Sequence, residues 1–184
     1  MPNREEALNL LKEYNKSEAL IQHGLQVEAC MRYFAKKYGE DEEKWGIVGL
    51  LHDLDYEMYP NEHCYKAKEI MQKNDYDKEI IRAMMSHGFG ICTDVEPKSL
   101  MEKTLYAVDE LSGLVNACVL VRPSKSIDDL GVKSVKKKFK SKSFAAGVNR
   151  DIVKEGAKML DMELDDLIAE VIEAMKANAR EIGV

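Results

Sequence analysis

The chain has 184 residues, of which 45% are hydrophobic, so it is long enough for one domain with a sizeable core. Its formal net charge of -6 argues against nucleic-acid binding by the whole surface, and it lacks the run of about 18 apolar residues that predicts a membrane span. The N-terminal stretch MPNREEALNLLKEYNK has no apolar signal-peptide segment, and the four cysteines lack the C-x-x-C spacing of a zinc ribbon. We therefore expect a cytoplasmic protein with free thiols and no membrane contact.

Apolar residues recur at helical spacing along almost the whole chain, and alternating β-branched runs are few. In 17–38, one histidine and several apolar side chains fall on one face, and Gly39 follows as a helix stop. The predicted helices are 17–38, 42–53, 61–73, 77–87, 97–121, 149–160 and 165–180. This pattern predicts an all-α fold, a helical bundle. We expect one domain over 1–184, with a core at 17–121 and a C-terminal helical extension at 122–184.

The segment 121–144 differs from the rest of the chain because it is rich in lysine and serine. Its cationic residues are Arg122, Lys125, Lys133, Lys136, Lys137, Lys138, Lys140 and Lys142. They form either a solvated lysine face or a flap that grips phosphate. In the second interpretation Arg122 and Lys125 are the substrate-binding candidates, because Arg122 ends the helix that carries Asp109. Nucleic-acid binding is disfavoured, since only one aromatic residue, Phe139, lies among the lysines.

The four histidines all lie on predicted helices or at their ends. His23 and His52 fall on apolar faces, where they point inward. Asn61 is expected to cap the third helix, which puts His63 in its first turn, and His87 closes the helix after that. Helix ends are natural places from which a side chain points into a cleft.

Two aspartates stand where a carboxylate is costly without a partner. Asp53 follows His52 near a helix C-terminus, where the helix dipole disfavours negative charge. Asp109 follows Met101 and Leu105 at intervals of four, on an apolar face. Imidazole and carboxylate together suit zinc, iron, manganese or nickel. From the residues alone, a metal site and a set of unrelated core and surface histidines stay equally open.

The order of these residues resembles that of the HD superfamily of metal-dependent phosphohydrolases, in which an HD dyad ends an apolar helix. The six-ligand pattern H…HD…H…H…D is carried here by His23, the pair His52-Asp53, His63, His87 and Asp109. The resemblance covers 17–121 and implies an HD-domain-like helical bundle. The local sequence HDLDYE lacks the lysine of the frequent HDIGK form. No GYP signature follows, which disfavours a cyclic dinucleotide phosphodiesterase.

The resemblance implies two divalent transition-metal ions, with Fe, Mn, Ni and Zn as candidates. One ion is held by His23, His52, Asp53 and Asp109, and the other by His63 and His87 with Asp53 as the bridge. Asp53 is thereby a catalytic residue, and Asp55 is a second candidate that orients water or a ligand histidine. The implied reaction is hydrolysis of a phosphoester of a small molecule or nucleotide by metal-activated hydroxide.

Other functions stay open at this point. The chain is alternatively a dinucleoside polyphosphate hydrolase, a non-catalytic module that senses a nucleotide, an iron-dependent oxygenase on the same scaffold, or a helical interaction protein with structural histidines. Metal content separates the last of these, and dependence on dioxygen separates the oxygenase. The expected partner is a small phosphorylated substrate, without membrane or nucleic acid, and the ligand pattern leaves substrate identity and oligomeric state open.

Overall fold

The fold was obtained as a computed structural model that describes residues 2–184. Within those residues it consists of α-helices and one 3-10 turn and has no β-strand, which confirms the predicted all-α fold. The helices are α1 (Arg4–Tyr14), α2 (Glu18–Tyr38), α3 (Glu42–Leu51), α4 (Tyr65–Lys73), α5 (Lys78–Ser86), α6 (Leu100–Leu120), α7 (Val132–Lys140), α8 (Arg150–Met159), α9 (Leu164–Ala177) and α10 (Ala179–Ile182), and the 3-10 turn is Pro60–Glu62. None of these helices combines the length and the apolar composition that crossing a membrane requires.

Helices α2, α3 and α6 form the centre of the bundle and carry most of the predicted ligands. Gly49 on α3 faces α2 so closely that an added Cβ would lie 2.9 Å from the carbonyl oxygen of Val27. The missing side chain therefore lets α3 approach α2. As a result, the C-terminal end of α3, at His52, comes next to His23 on α2.

Two helix starts are set by capping boxes that the prediction did not use. The Asn3 side chain accepts the Glu6 N–H and the Glu6 carboxylate accepts the Asn3 N–H, which starts α1, a helix absent from the prediction. Ser99 and Glu102 form the same reciprocal pair at the start of α6. This helix therefore begins after Ser99, and not at Pro97 as predicted.

The backbone around His63 also differs from the prediction. Asn61 does not cap a helix but lies in the 3-10 turn, and α4 begins only at Tyr65. His63 therefore precedes the helix instead of lying in its first turn. Cys64 has a φ of 69°, a left-handed conformation that non-glycine residues seldom adopt. Apolar periodicity carries no signal for such a turn, which explains the error.

The lysine-rich segment contains a regular amphipathic helix, α7. Val135 and Phe139 on this helix are buried, whereas its lysines point outward or lie at its edges. The part of the predicted flap that carries most of its lysines is therefore a helix anchored to the core by two apolar side chains.

The C-terminal helices pack directly on the predicted core. On α8, a Cβ added to Gly156 would lie 2.5 Å from the Ala107 Cα atom on α6, so the two backbones are in close contact. On α9, Glu170 accepts a hydrogen bond of 2.7 Å from the Tyr33 hydroxyl on α2. The division into a core at 17–121 and an extension at 122–184 stays a prediction.

Candidate metal centre

All four histidines and three aspartates converge at one place in the bundle. His23 comes from α2, His52 caps the end of α3, and His87 caps the end of α5. The other members of the group are Asp53, Asp55, His63 and Asp109. Because five separate segments supply these side chains, the tertiary fold brings the ligands together.

The first cluster consists of His23, His52 and Asp109. The Nε2 atoms of His23 and His52 are 3.2 Å apart, and the Asp109 Oδ1 atom lies 3.0 Å and 3.2 Å from them, respectively. The three donor atoms therefore form a nearly equilateral triangle with an imidazole–imidazole–carboxylate donor set.

The second cluster consists of His63, His87 and one oxygen of Asp53. The Nε2 atoms of the two histidines are 3.1 Å apart. The Asp53 Oδ1 atom lies 3.4 Å from the nitrogen of His63 and 3.5 Å from that of His87. The donor set is the same as in the first cluster.

Asp53 lies between the two clusters and presents a different oxygen to each. Its Oδ1 atom faces His63 and His87, whereas its Oδ2 atom lies 3.4 Å from the His52 Nε2 atom and 3.8 Å from the His23 Nε2 atom. A carboxylate placed in this way has the geometry of a bridge between two ions.

The tautomers of three histidines are set by partners on the far side of each ring. The Nδ1 group of His52 donates to the Gly49 carbonyl at 2.7 Å, and that of His87 donates to the Met84 carbonyl. The Nδ1 group of His63 donates to Asp55 Oδ1 at 2.7 Å. These bonds direct the Nε2 atoms into the clusters, where each can bind a metal ion when it carries no proton.

The spacing of the donor atoms fits a metal ion. Two nitrogen lone pairs at 3.1 or 3.2 Å repel each other unless a proton or a cation lies between them. A metal–nitrogen bond of about 2.0–2.1 Å gives neighbouring ligands a separation of about 3.0 Å in octahedral and about 3.4 Å in tetrahedral coordination. Most of the separations in both clusters fall in this range, so the residues present fit a divalent ion in each.

Asp55 lies behind His63 and does not line the cleft. It is fully buried, and its Oδ2 atom accepts the Ala67 N–H at 2.8 Å while its Oδ1 atom binds His63. Of the two roles predicted for Asp55, the geometry therefore favours orienting a ligand histidine over orienting water. The carboxylate also connects the 3-10 turn region to α4.

The carboxylates of the first cluster change the protonation of His52. Burial opposes a positive charge on this ring, but Asp53 and Asp109 outweigh burial and raise the pKa of His52 well above its ordinary 6.5. Burial also opposes charge on Asp53, yet His52 and His87 lower the pKa of this carboxyl well below 3.8. An ion that enters the first cluster therefore has to displace a proton from His52.

Two cysteine thiols border the second cluster. The Cys64 and Cys92 sulfurs are 3.3 Å apart, and the Cys64 sulfur lies 4.0 Å from the His87 Nε2 atom. Burial raises the pKa of both thiols, which keeps them protonated at neutral pH. Cys92 lines the cleft and Cys64 lies buried behind it, a pairing that no spacing of the cysteines in the sequence predicts.

The donor atoms open onto a cleft of about 470 Å³. Besides metal-ligand candidates, its lining includes residues that the sequence interpretation did not select: Tyr56, Ile91, Cys92, Glu110, Val148, Asn149 and Ile152. Burial next to Asp109 raises the pKa of Glu110, and this carboxylate accepts the Asn149 N–H at 3.0 Å. Glu110 directly follows a predicted ligand on α6, a signal that could have indicated its position.

The six residues predicted as metal ligands are thus all brought together, and their role as ligands stays a prediction. The predicted substrate-binding residues Arg122 and Lys125 do not line the cleft. The Arg122 guanidinium pairs instead with the Asp129 carboxylate at 2.7 Å. The Glu57 carboxylate also lies elsewhere and accepts the N–H groups of Lys16 and Ser17 ahead of α2.

The family assignment follows from comparison of the whole sequence. Residues 20–114, about half of the chain, match the HD domain. The chain belongs to the HD domain family. HD domain proteins are generally hydrolases that bind divalent metals, and the family is one of metal-dependent phosphohydrolases. The matched region contains every predicted ligand, whereas α7 to α10 lie outside it.

Curated relatives of this chain include proteins named Ribonuclease Y. The protein from Oleidesulfovibrio alaskensis is 31% identical over 101 residues, and the one from Nitratidesulfovibrio vulgaris is 32% identical over 101 residues. The match covers 53% of this chain but only 18% of each relative, so the chain spans less than a fifth of their length. No solved structure matches the chain significantly.

Proposed function

We propose that this HD domain protein hydrolyses a phosphoester of a small molecule or nucleotide, using two divalent transition-metal ions. The position of Asp53 carries this proposal, because its two oxygens face two separate clusters of donor atoms. The preferred ions are Fe, Mn, Ni or Zn, which suit imidazole and carboxylate ligands.

Each ligand has a defined place in the proposed site. His23, His52 and Asp109 hold the first ion together with Oδ2 of Asp53. His63 and His87 hold the second ion together with Oδ1 of the same carboxylate. Two such ions supply activated water near neutral pH and compensate the charge on the phosphoryl oxygens.

The protein itself contributes orientation and partial exclusion of water. The bonds from Nδ1 groups to Gly49, Met84 and Asp55 fix three of the four rings, so their nitrogens need little reorganisation to bind. Tyr56 and Ile91 form an exposed apolar rim on the cleft, suited to a base or another apolar part of the substrate.

A phosphodiester substrate is a second candidate. It is favoured by the relatives named Ribonuclease Y, although these match over 18% of their length. A dinucleoside polyphosphate uses the same ligands and stays an alternative. A nucleotide-sensing module and an iron-dependent oxygenase are further alternatives, and each predicts a different result in the following experiment.

The test combines elemental analysis of the purified protein with assays of phosphomonoesters, a dinucleoside polyphosphate and an oligoribonucleotide, each with Mn, Ni, Fe or Mg. We expect two ions per chain and hydrolysis of at least one ester class. Asp53→Ala should lose both ions and the activity, whereas Glu62→Ala, on the exposed 3-10 turn, should retain both.

The opposing results are equally specific. Binding of nucleotide without hydrolysis by the metal-loaded protein would identify a sensor. Turnover only in the presence of dioxygen would identify an oxygenase. Two ions retained in Asp53→Ala would show that this carboxylate is not the bridge.

A further inference from the structure

A second cavity, of about 500 Å³, adjoins the metal cleft. The two cavities share Val148 and Asn149 in their walls, so these residues form a ridge between them. We call the second one the basic cavity, because its wall includes Lys140 and Lys142 together with Arg150 and Lys154, against a single carboxylate, that of Asp151, which pairs with Lys154 at 3.2 Å. A ligand that spans the ridge would contact the walls of both cavities.

The two cavities differ in charge. Within the described residues, the lining of the metal cleft contains no lysine or arginine. Lys140 and Lys142 are exposed, and no carboxylate of residues 2–184 forms an ion pair with either. By contrast, Lys136 pairs with Asp165 at 2.7 Å. Positive charge near the site is thus available on the far side of the ridge and is not already neutralised.

The ridge and the basic cavity are held rigidly. The guanidinium of Arg150 donates to main-chain carbonyls of the preceding loop, namely those of Phe139, Ser141, Phe144, Ala145 and Val148. The Asn149 N–H donates to Glu110, next to the ligand Asp109. These bonds fix the main chain that carries Lys140 and Lys142 relative to the metal cleft.

The lining of the metal cleft also includes two exposed side chains with apolar surface. The side chain of Tyr56 is 47% exposed and that of Ile91 is 62% exposed, and both line the cleft. The Tyr56 ring packs edge-on against His63, with centroids 5.1 Å apart, so it is held beside the second cluster. An exposed aromatic face of this kind stacks on a nucleobase.

We propose that the substrate carries at least one phosphate beyond the scissile one, and that Lys140 and Lys142 bind it in the basic cavity. This inference rests on the proposed function, since it places the scissile phosphate at the metal ligands. The base or other apolar group then lies on the rim of Tyr56 and Ile91. The chemistry shared by suitable ligands is the presence of several phosphate groups, linked through sugars in oligonucleotides and directly to one another in dinucleoside polyphosphates.

The experiment measures how salt affects the binding of non-cleavable ligands to the metal-loaded protein. The ligands are a phosphorothioate-linked tetranucleotide, a methylene-bridged dinucleoside tetraphosphate and a phosphorothioate-linked dinucleoside with a single phosphate. In Lys140→Gln/Lys142→Gln, the slope of log K against log salt for the tetranucleotide should become less negative by about 0.7 per lysine, or about 1.4 in total. The affinity for the single-phosphate ligand should change less than twofold.

The matched control is Lys133→Gln/Lys137→Gln. These two residues lie on the same helix as Lys140, but they are not part of either cavity wall. Their substitution removes the same amount of positive charge. Equal changes in both double variants would refute the proposal, because they would show general attraction to a lysine-rich surface. An unchanged slope, or failure of both multi-phosphate ligands to bind, would refute it as well. The two multi-phosphate ligands are then compared with each other. The one that binds more tightly shows whether the site prefers an oligonucleotide or a dinucleoside polyphosphate.

Because the ligands are not cleaved, these results are independent of the hydrolysis assays. If the salt slope changes as expected but the protein hydrolyses no ester, the phosphate site is supported and the proposed function is refuted. Hydrolysis with no effect of the two lysines would do the reverse.

Discussion

Replacement of Asp55 by asparagine tests whether this buried carboxylate supports the second metal position. Its two oxygens accept from His63 Nδ1 and from the Ala67 N–H, at 2.7 and 2.8 Å. Asparagine has one carbonyl oxygen, so only one of these donors keeps an acceptor, and the other meets the amide NH₂ group. A buried donor without a partner costs about 1–3 kcal/mol of folding free energy.

The effect on metal binding should be larger at one position than at the other. Loss of a partner that orients a ligand histidine typically lowers metal affinity by about 10–100-fold. His63 belongs to the second cluster, and Asp55 contacts neither His23 nor His52. Asp55→Asn should therefore weaken the second ion by about 10–100-fold and change the affinity for the first by less than about threefold.

The assay is a stepwise metal titration of apo protein against a chelator of known affinity, with thermal unfolding recorded in parallel. Glu57→Gln is the matched control, because Glu57 is a nearby carboxylate that accepts two main-chain N–H groups and no histidine. Both N–H groups bond to the same exposed oxygen, Oε2, which the glutamine carbonyl can replace, so this variant should change stability little and leave both affinities unchanged. The reasoning fails if Asp55→Asn binds the second ion as tightly as the parent, or if Glu57→Gln weakens it equally.

Four further outcomes can be measured on the same protein. Chelation should lower the melting temperature, because ions bound at about a hundred times their Kd stabilise the folded state by about 2.7 kcal/mol each; an unchanged melting temperature after verified metal removal would contradict the site. Because the pKa of His52 is raised above its ordinary value, a metal ion has to displace its proton, and metal affinity at the first position should rise with pH by up to about tenfold per pH unit until the raised pKa is passed. Metal titrations at several pH values check this prediction. An affinity that does not change with pH would exclude such competition. Gly88→Ala places a Cβ 2.5 Å from the Cys92 sulfur and should lower the free energy of unfolding by about 1–3 kcal/mol. Gly147→Ala has no atom within 4 Å of the added Cβ and should lower it less. Chemical denaturation of the two variants compares these values. Arg122→Ala should leave kcat/KM within about twofold, since Arg122 pairs with Asp129 away from the cleft; a large rise in KM would return Arg122 to the substrate site.

The ligand positions could be predicted because local rules place them. His23 and Asp109 lie on helical faces with apolar neighbours at intervals of four, and periodicity detects such faces. His52 and His87 both follow helix ends, where the ring nitrogen donates to a carbonyl three residues earlier. A helical pattern therefore determines not only the position of these rings but also which nitrogen remains free.

The conformation next to His63 follows no such rule. The left-handed conformation of Cys64 opposes the usual preference of a non-glycine residue. The tertiary contacts of Asp55 with His63 and Ala67 hold this turn in place. They involve residues that are 8 and 12 positions apart, outside any regular period.

Arg122 shows how sequence proximity to a ligand can mislead. It follows α6, the helix of Asp109, and this connection suggested a position near the metal site. A helix advances about 1.5 Å per residue, so the eleven positions from Asp109 to the end of α6 at Leu120 correspond to about 16 Å along the axis before Arg122 is reached. The same long helix that fixes the ligand therefore carries the arginine away from it.

Lys140 and Lys142, which line the cavity next to the metal cleft, are further from Asp109 in the sequence than Arg122 is. They return to the cleft because the chain reverses after α6 and α8 packs against α6 through Gly156. This reversal is a property of the C-terminal helices, which lie outside the matched HD domain. The candidate metal ligands therefore lie in the family region, whereas Lys140 and Lys142 lie in the segment after it. If these lysines bind substrate as proposed, the segment after the HD domain, and not the six candidate ligands, determines the positive charge next to the cleft.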